Sequence, residues 1–147
     1  MPDYWDTSCL LKLYCQESDS EIFRKKIAAS LEPPVASTLV RTELCYAFQQ
    51  KAKRGETGHR RAEDLFDLLQ ADIRQGRICL FPVGSDVLER AEQLASECYG
   101  ASEAIFLRTL DGIHLATAQL TKSRSIISTD ERMNAAAQLL GMARFTD

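Results

Sequence analysis

Asp6, Glu43, Asp111 and Asp130 stand among apolar neighbours, where a solvated surface acid is not expected. Asp6 follows Tyr4-Trp5, and Asp130 follows the pair Ile126-Ile127 with only Ser128 and Thr129 between. Glu43 and Asp111 interrupt the apolar faces of two helical stretches. A half-buried carboxylate is costly unless it is paired or metal-bound. Four of them in one cavity would repel, so protons or a divalent cation must neutralise part of the charge. Oxygen ligands without His or Cys select Mg²⁺ or Mn²⁺ over zinc. Such ions catalyse phosphodiester hydrolysis by orienting and activating water and by stabilising charge on the phosphate and the leaving oxygen. Taken singly, each acid has a plainer reading: Asp6 and Asp130 as helix caps, Glu43 and Asp111 as rim residues. Their conjunction at one place is what favours a site.

The elements that must position them follow from periodicity, since short apolar runs alternate with longer amphipathic ones. A strand is expected at about Asp3 to Trp5, then helices from about Ser8 and over about Ser20 to Ala29, ended by Pro33-Pro34. Val35-Ala36 reads as a second strand, and Ser37 or Thr38 as the cap of a helix running to about Arg54. Gly55 and Gly58 bracket a turn before a helix from about Arg60 to Gln75, which Gly76 stops. Ile78 to Phe81 forms a third strand, and Ser85 caps a helix that ends near Gly100. A helix over about Thr109 to Thr121, a strand at Ser125 to Ser128, a helix over Glu131 to Leu140 and a small strand at Met142 to Phe145 complete the chain.

This order predicts a three-layer α/β/α sandwich around a central, mainly parallel five-stranded sheet, as one domain over residues 1–147. In open α/β sheets the functional crevice lies beyond the carboxyl ends of the strands. Asp6 and Asp130 occupy that position. Glu43 shares a helical face with Leu39, Val40 and Ala47, and Asp111 with Leu107, Leu115 and Ala118, so both should point toward the sheet. Asp3, Glu103 and Glu131 read as surface charges.

Composition narrows the class without naming a chemistry. The N-terminus has no basic start with an apolar run, and no stretch is long enough to span a membrane, so a soluble, cytoplasmic protein is expected. The five cysteines are scattered with no Cys-x-x-Cys pair, which suits reduced core thiols rather than zinc or redox chemistry. A net charge of −3 argues against coating nucleic acid with the whole surface, but leaves room for a local basic groove.

Four segments resemble those of PIN-domain nucleases, in particular the VapC-type toxins. Tyr4 to Tyr14 resembles their opening strand and helix, and Ser37-Thr38-Leu39-Val40-Arg41-Thr42-Glu43-Leu44 their second acidic segment. Leu107 to Ala118, with Asp111-Gly112-Ile113-His114, is similar to the third, and Ile127-Ser128-Thr129-Asp130-Glu131-Arg132-Met133 to the fourth. The resemblance covers almost the whole chain and departs at Gly112, where alanine is usual. That glycine either loosens its helix or admits a close neighbour. The resemblance implies a parallel five-stranded sheet and Mg²⁺- or Mn²⁺-dependent endoribonuclease activity, with Asp6, Glu43, Asp111 and Asp130 as metal ligands. It also implies frequent homodimers, and inhibition by a small antitoxin that often binds DNA.

Thr7, Ser8 and Thr129 could orient a carboxylate or a metal-bound water, with helix capping as the plainer role. His114, one turn after Asp111, reads as structural rather than as a general base. Arg41, Arg108 and Lys12 are candidates for phosphate oxygens of RNA. The cluster Lys51, Lys53, Arg54, His59, Arg60 and Arg61 could clamp the RNA backbone or simply suit a helix end. Other readings are a PIN-type RNA-processing nuclease outside a toxin–antitoxin pair, a protein-binding module with an acidic pocket, and a Mg²⁺-dependent phosphatase using Asp6 as nucleophile. The phosphatase reading wants a second acid two residues after Asp6, where this chain has Ser8.

Overall fold

A computed structural model of the chain describes residues 1–145. The elements in chain order are β1 (Asp3–Trp5), α1 (Thr7–Tyr14), α2 (Ser20–Ala29), β2 (Val35–Ser37), α3 (Leu39–Lys53) and α4 (Ala62–Arg74). They continue with β3 (Cys79–Phe81), α5 (Ser85–Tyr99), α6 (Thr109–Leu120), β4 (Ser125–Ile127), α7 (Glu131–Leu139) and β5 (Ala143–Arg144). The strands form one sheet in the order β3-β2-β1-β4-β5, and every pairing is parallel. The chain builds β1, β2 and β3 outward on one side, then crosses back to place β4 on the other side of β1. The strand order therefore reverses between β1 and β4, the place where α/β sheets open a crevice at their carboxyl ends.

Strand alternation divides the interior in two. Tyr4 and Ile126 face one side and pack with Val87 and Leu94 of α5, Leu115 of α6 and Met133 of α7. Trp5 and Ile127 face the other and pack with Leu10 of α1, Phe23 of α2, Leu44 of α3 and Leu65 of α4. Both faces of the central strands are thus covered, which is why consecutive residues, Tyr4-Trp5 in β1 and Ile126-Ile127 in β4, are apolar. Among the described residues no helix is long and apolar enough to cross a membrane.

The observed boundaries differ from the expected ones by one or two residues, at helix starts as well as at helix and strand ends. Helix α4 begins at Ala62 rather than near Arg60, because Arg61 is extended (φ −83°, ψ 159°) and its amide donates to Asp64 Oδ2 at 2.9 Å. Ser85 is the first helical residue of α5, with Gly84 at the cap position, and the Val87 amide donates instead to Asp86 Oδ1 at 2.8 Å. Ser37 ends β2 and still does the work of a cap, accepting from the Leu39 amide at 3.1 Å.

Asp3 is a correction: it is only 5% exposed and not a surface charge. It accepts from Ser125 Oγ at 2.6 Å and Arg124 Nε at 2.8 Å, with Lys26 Nζ 3.6 Å away, and so ties β1 to the start of β4. Burial alone would raise its pKa, but these donors and charges outweigh it and hold the carboxyl below the ordinary 3.8. A depressed folded-state pKa means stability that is present above the unfolded value and lost as pH falls through the folded one. Asp3→Asn should therefore cost about 1–3 kcal/mol at pH 7. In urea melts, the gap to the parent chain should narrow as pH drops below 3.8; a gap independent of pH would refute the ion-pair account.

Gly112 lies in α6 facing α5, and a Cβ built there would meet only Ala91 Cβ and Ala91 O, each at 4.0 Å. These are ordinary van der Waals distances, so the glycine loosens the helix without serving a close approach. Gly112→Ala should raise stability by about 0.5–1 kcal/mol, seen as a higher Tm; a lower Tm would mean that α5 and α6 pack more tightly than these distances indicate.

Candidate active site

The reversal point holds a cleft of 620 Å³, lined by Asp6, Glu43, Asp111 and Asp130 together with Ser8 and Arg108. The four acids come from four segments that the topology brings to one end of the sheet. Asp6 stands at the cap position of α1, yet its carboxylate makes no capping hydrogen bond. It accepts instead from Ser128 Oγ at 2.8 Å and Ser8 Oγ at 3.4 Å, both on Oδ2. Asp130 does cap: its Oδ1 accepts from the amides of Arg132 and Met133 at 2.8 and 3.2 Å. The plainer reading of Asp130 is thus realised while the residue still lines the cleft. Glu43, in the first turns of α3, accepts on Oε1 from Thr7 Oγ1 at 2.9 Å and pairs there with His114 Nε2 at 2.7 Å. Asp111, in the first turn of α6, accepts on Oδ2 from the Arg108 amide and from Arg108 Nε, each at 3.3 Å.

In all four acids the hydrogen bonds fall on one oxygen of the carboxylate. The electrostatics match a crowded anionic pocket. Burial first, then the charge of Glu43, raises the Asp6 carboxyl above its ordinary value, against the opposing pull of His114 and Ser128. Burial would also raise Glu43, but the hydrogen bond and charge of His114 and the Thr7 hydroxyl outweigh it and leave its pKa lowered. Burial would hold His114 down; Glu43, Asp6 and Asp111 overcome this and raise it. Tyr4 lies well above its usual range, through burial and then the charges of Asp6 and Glu43.

This donor set suits a hard cation by its chemistry, since it is all oxygen and carries excess negative charge. Among the described residues, however, no three His, Cys, Asp or Glu side chains are close enough together to chelate one ion. The acids face a common cleft, and Asp111 is held by Arg108 on its rim.

Of the supporting residues, Thr7 and Ser8 reach Glu43 and Asp6. Thr129 is exposed, and the hydroxyl that meets Asp6 from this segment belongs to Ser128. Its signal was the parallel register: Trp5 pairs with Ile127, so Ser128 falls beside Asp6. Of the three basic candidates only Arg108 lines the cleft. Lys12 is taken up by Asp19 at 2.8 Å and Glu17 at 3.5 Å, and Arg41 lies over the Phe66 ring at 5.7 Å. In the basic cluster, Lys51 pairs with Glu56 and Arg61 with Asp64.

The model of the PIN domain family matches residues 4–139. Ribonuclease VapC46 of Mycobacterium tuberculosis (strain ATCC 25618 / H37Rv) is 34% identical over 142 residues, 95% of this chain and 93% of its own length. Among solved structures, a chain of a toxin–antitoxin complex from Klebsiella pneumoniae superposes with a TM-score of 0.64 at 17% identity, covering 99% of this chain and 97% of that one. Mycobacterium tuberculosis VapC20, described as a sarcin-ricin loop cleaving toxin, gives 0.68 at 18% identity, over 91% and 94%. At these identities the structural likeness is one of fold, and membership rests on the family model and the VapC46 match. The chain belongs to the PIN-domain family of nucleases, and within it is a relative of the VapC ribonucleases.

Proposed function

We propose that this chain is a Mg²⁺- or Mn²⁺-dependent endoribonuclease, the toxin of a type II toxin–antitoxin pair, with Asp6, Glu43, Asp111 and Asp130 as the residues that would hold the metal. The observation that carries this reading is the convergence of four acids from four segments on one cleft at the sheet's reversal point. The bound ion would activate water and stabilise charge at the phosphate.

The chain's own residues do the rest. Ser128 and Ser8 fix the Asp6 carboxylate, and Thr7 and His114 fix Glu43. Arg108, its side chain 70% exposed on the rim, offers a planar guanidinium to a phosphate oxygen and releases Asp111 as it does so. The toxin assignment draws on the VapC46 match and on fold neighbours such as the Klebsiella complex and the DNA-bound VapBC2 of Rickettsia felis. It brings a cognate antitoxin and a homodimer as partners.

The purified chain should cleave structured RNA when Mg²⁺ or Mn²⁺ is supplied and stop when excess chelator is added. Co-purified antitoxin should suppress the cleavage. Cleavage that persists in chelator would overturn the metal-dependent reading.

A further inference from the structure

We propose that Tyr4 and His114 are positioning residues, a buried relay that aims the Glu43 carboxylate into the cleft and thereby sets the affinity of the site for a divalent ion. This rests on the reading of the cleft as a metal site, and concerns residues that no step of the proposed chemistry uses directly.

Tyr4 lies at the middle of β1 with no exposed surface, and His114 on α6 is 2% exposed. A buried phenol must find partners for its hydroxyl. Tyr4 Oη accepts from the Ser37 amide of β2 at 3.1 Å and stands 2.5 Å from His114 Nδ1. The two rings also meet edge to face, with centroids 5.9 Å apart. At the far side of the imidazole, Nε2 is 2.7 Å from Glu43 Oε1.

The direction of these bonds follows from the ends of the chain. An ionised carboxylate only accepts, so Nε2 carries the proton and donates to Glu43. In the neutral ring Nδ1 accepts from the Tyr4 hydroxyl, and in the protonated ring it donates to the Tyr4 oxygen; in both, Nε2 donates to Glu43 and the ring is held at its two ends, which fixes its orientation.

The consequence falls on Glu43. The His114 ring N–H and the Thr7 hydroxyl both land on Oε1, leaving Oε2 with no hydrogen-bond partner among the described residues, in a side chain that lines the cleft. The relay also joins four elements that would otherwise set the ligands independently. It runs from the backbone of β2 through β1 to α6, which carries Asp111 one turn before His114, and ends on α3. Loss of the phenol oxygen would unlock the imidazole and, through it, both Glu43 and the α3–α6 spacing. Comparable outer partners of metal ligands change metal affinity by about 10–100-fold.

The test uses Tyr4→Phe, which keeps the ring and removes only the oxygen, with His114→Leu and His114→Gln. Mn²⁺ affinity is measured by calorimetry, and RNA cleavage is followed across Mn²⁺ concentrations, with Tm as the check of folding. Tyr4→Phe and His114→Leu should weaken Mn²⁺ binding by about 10–100-fold and raise the half-saturating Mn²⁺ to match. At saturating Mn²⁺, kcat should recover to within a few-fold. His114→Gln, which retains an N–H for Glu43, should recover part of the affinity.

Unchanged Mn²⁺ affinity in folded Tyr4→Phe and His114→Leu would overturn the relay, as would a fall in kcat that Mn²⁺ cannot restore. Should Tyr4→Phe not fold, the contrast between His114→Leu and His114→Gln decides: equal affinities overturn the proposal, and partial recovery by Gln supports it. Failure of the metal reading itself looks different, because the parent chain would then bind no Mn²⁺ at all.

Discussion

Asp6→Asn is expected to remove metal-dependent RNA cleavage, by about 10²–10³-fold or more, while leaving the chain folded and, in the absence of divalent ions, more heat-stable than the parent. The amide keeps the shape of the carboxylate, and its oxygen can still accept from the Ser128 hydroxyl now 2.8 Å away. It cannot supply the negative charge that a cation needs. The stability gain follows from the sign of the shift at Asp6. Burial and the neighbouring Glu43 raise its pKa despite His114 and Ser128, so the ionised form is less favoured in the fold than in the unfolded chain. At neutral pH that charge costs stability, and the uncharged amide relieves it. Each kcal/mol recovered is worth roughly 2–4 °C in a domain of this size. Added Mn²⁺ should reverse the order, because only the parent chain gains from binding. Melts in chelator and in Mn²⁺, run beside the cleavage assay, check both halves. Surviving cleavage, or an Asp6→Asn chain that melts lower in chelator, would contradict the account.

Ile126→Ala carries the largest expected loss of stability. Ile126 has no exposed surface, pairs with Tyr4 on one side and Arg144 on the other, and packs in the core formed with α5, α6 and α7. It sits in the central layer with helices on both sides, so little can collapse into the space left behind. Truncation should cost about 2–5 kcal/mol, a large part of the roughly 5–15 kcal/mol that holds a domain of this kind. Leu31→Ala is the control: that side chain is 101% exposed, and its removal should stay within about 0.5 kcal/mol. Urea midpoints of the two variants measure the difference. A cost for Ile126→Ala below 1 kcal/mol, about the size of a surface effect, would mean that Ile126 is not packed in the core between the sheet and α5, α6 and α7.

The order of strands and helices was legible because the inner strands are short and carry consecutive apolar residues, as at Tyr4-Trp5 and Ile126-Ile127, and each helix repeats its apolar positions at the right spacing. The acids were legible for a related reason: Asp6 and Asp130 follow strands, and Glu43 and Asp111 break apolar stripes. What the spacing could not show is where long side chains go. Lys12 is near Asp6 in sequence, but α1 turns it toward Asp19 and Glu17. Asp3 looks like a charge at an open terminus until β4 arrives with Arg124 and Ser125 from the far end of the chain.

Ser128 and Tyr4 were missed because their roles depend on pairing across strands. The register of β1 with β4 sets the Ser128 hydroxyl against Asp6, and that of β1 with β2 puts the Ser37 amide over the Tyr4 oxygen. A tyrosine in the middle of a wholly buried strand is the signal that should prompt a search for its partner. Two helix starts, those of α4 and α5, shifted by a residue or two, with Asp64 and Asp86 inside the helix accepting from amides at its start.

The central claim is that four carboxylates on one cleft bind the ion that RNA cleavage needs. Calorimetric titration of Mn²⁺ into the parent chain and into Asp6→Asn, Glu43→Gln, Asp111→Asn and Asp130→Asn tests it without relying on a chosen RNA. Saturable binding by the parent, weakened in every variant and in step with lost cleavage, is the predicted result. Undiminished Mn²⁺ binding in folded variants, or none in a parent chain that still cleaves RNA, would contradict it.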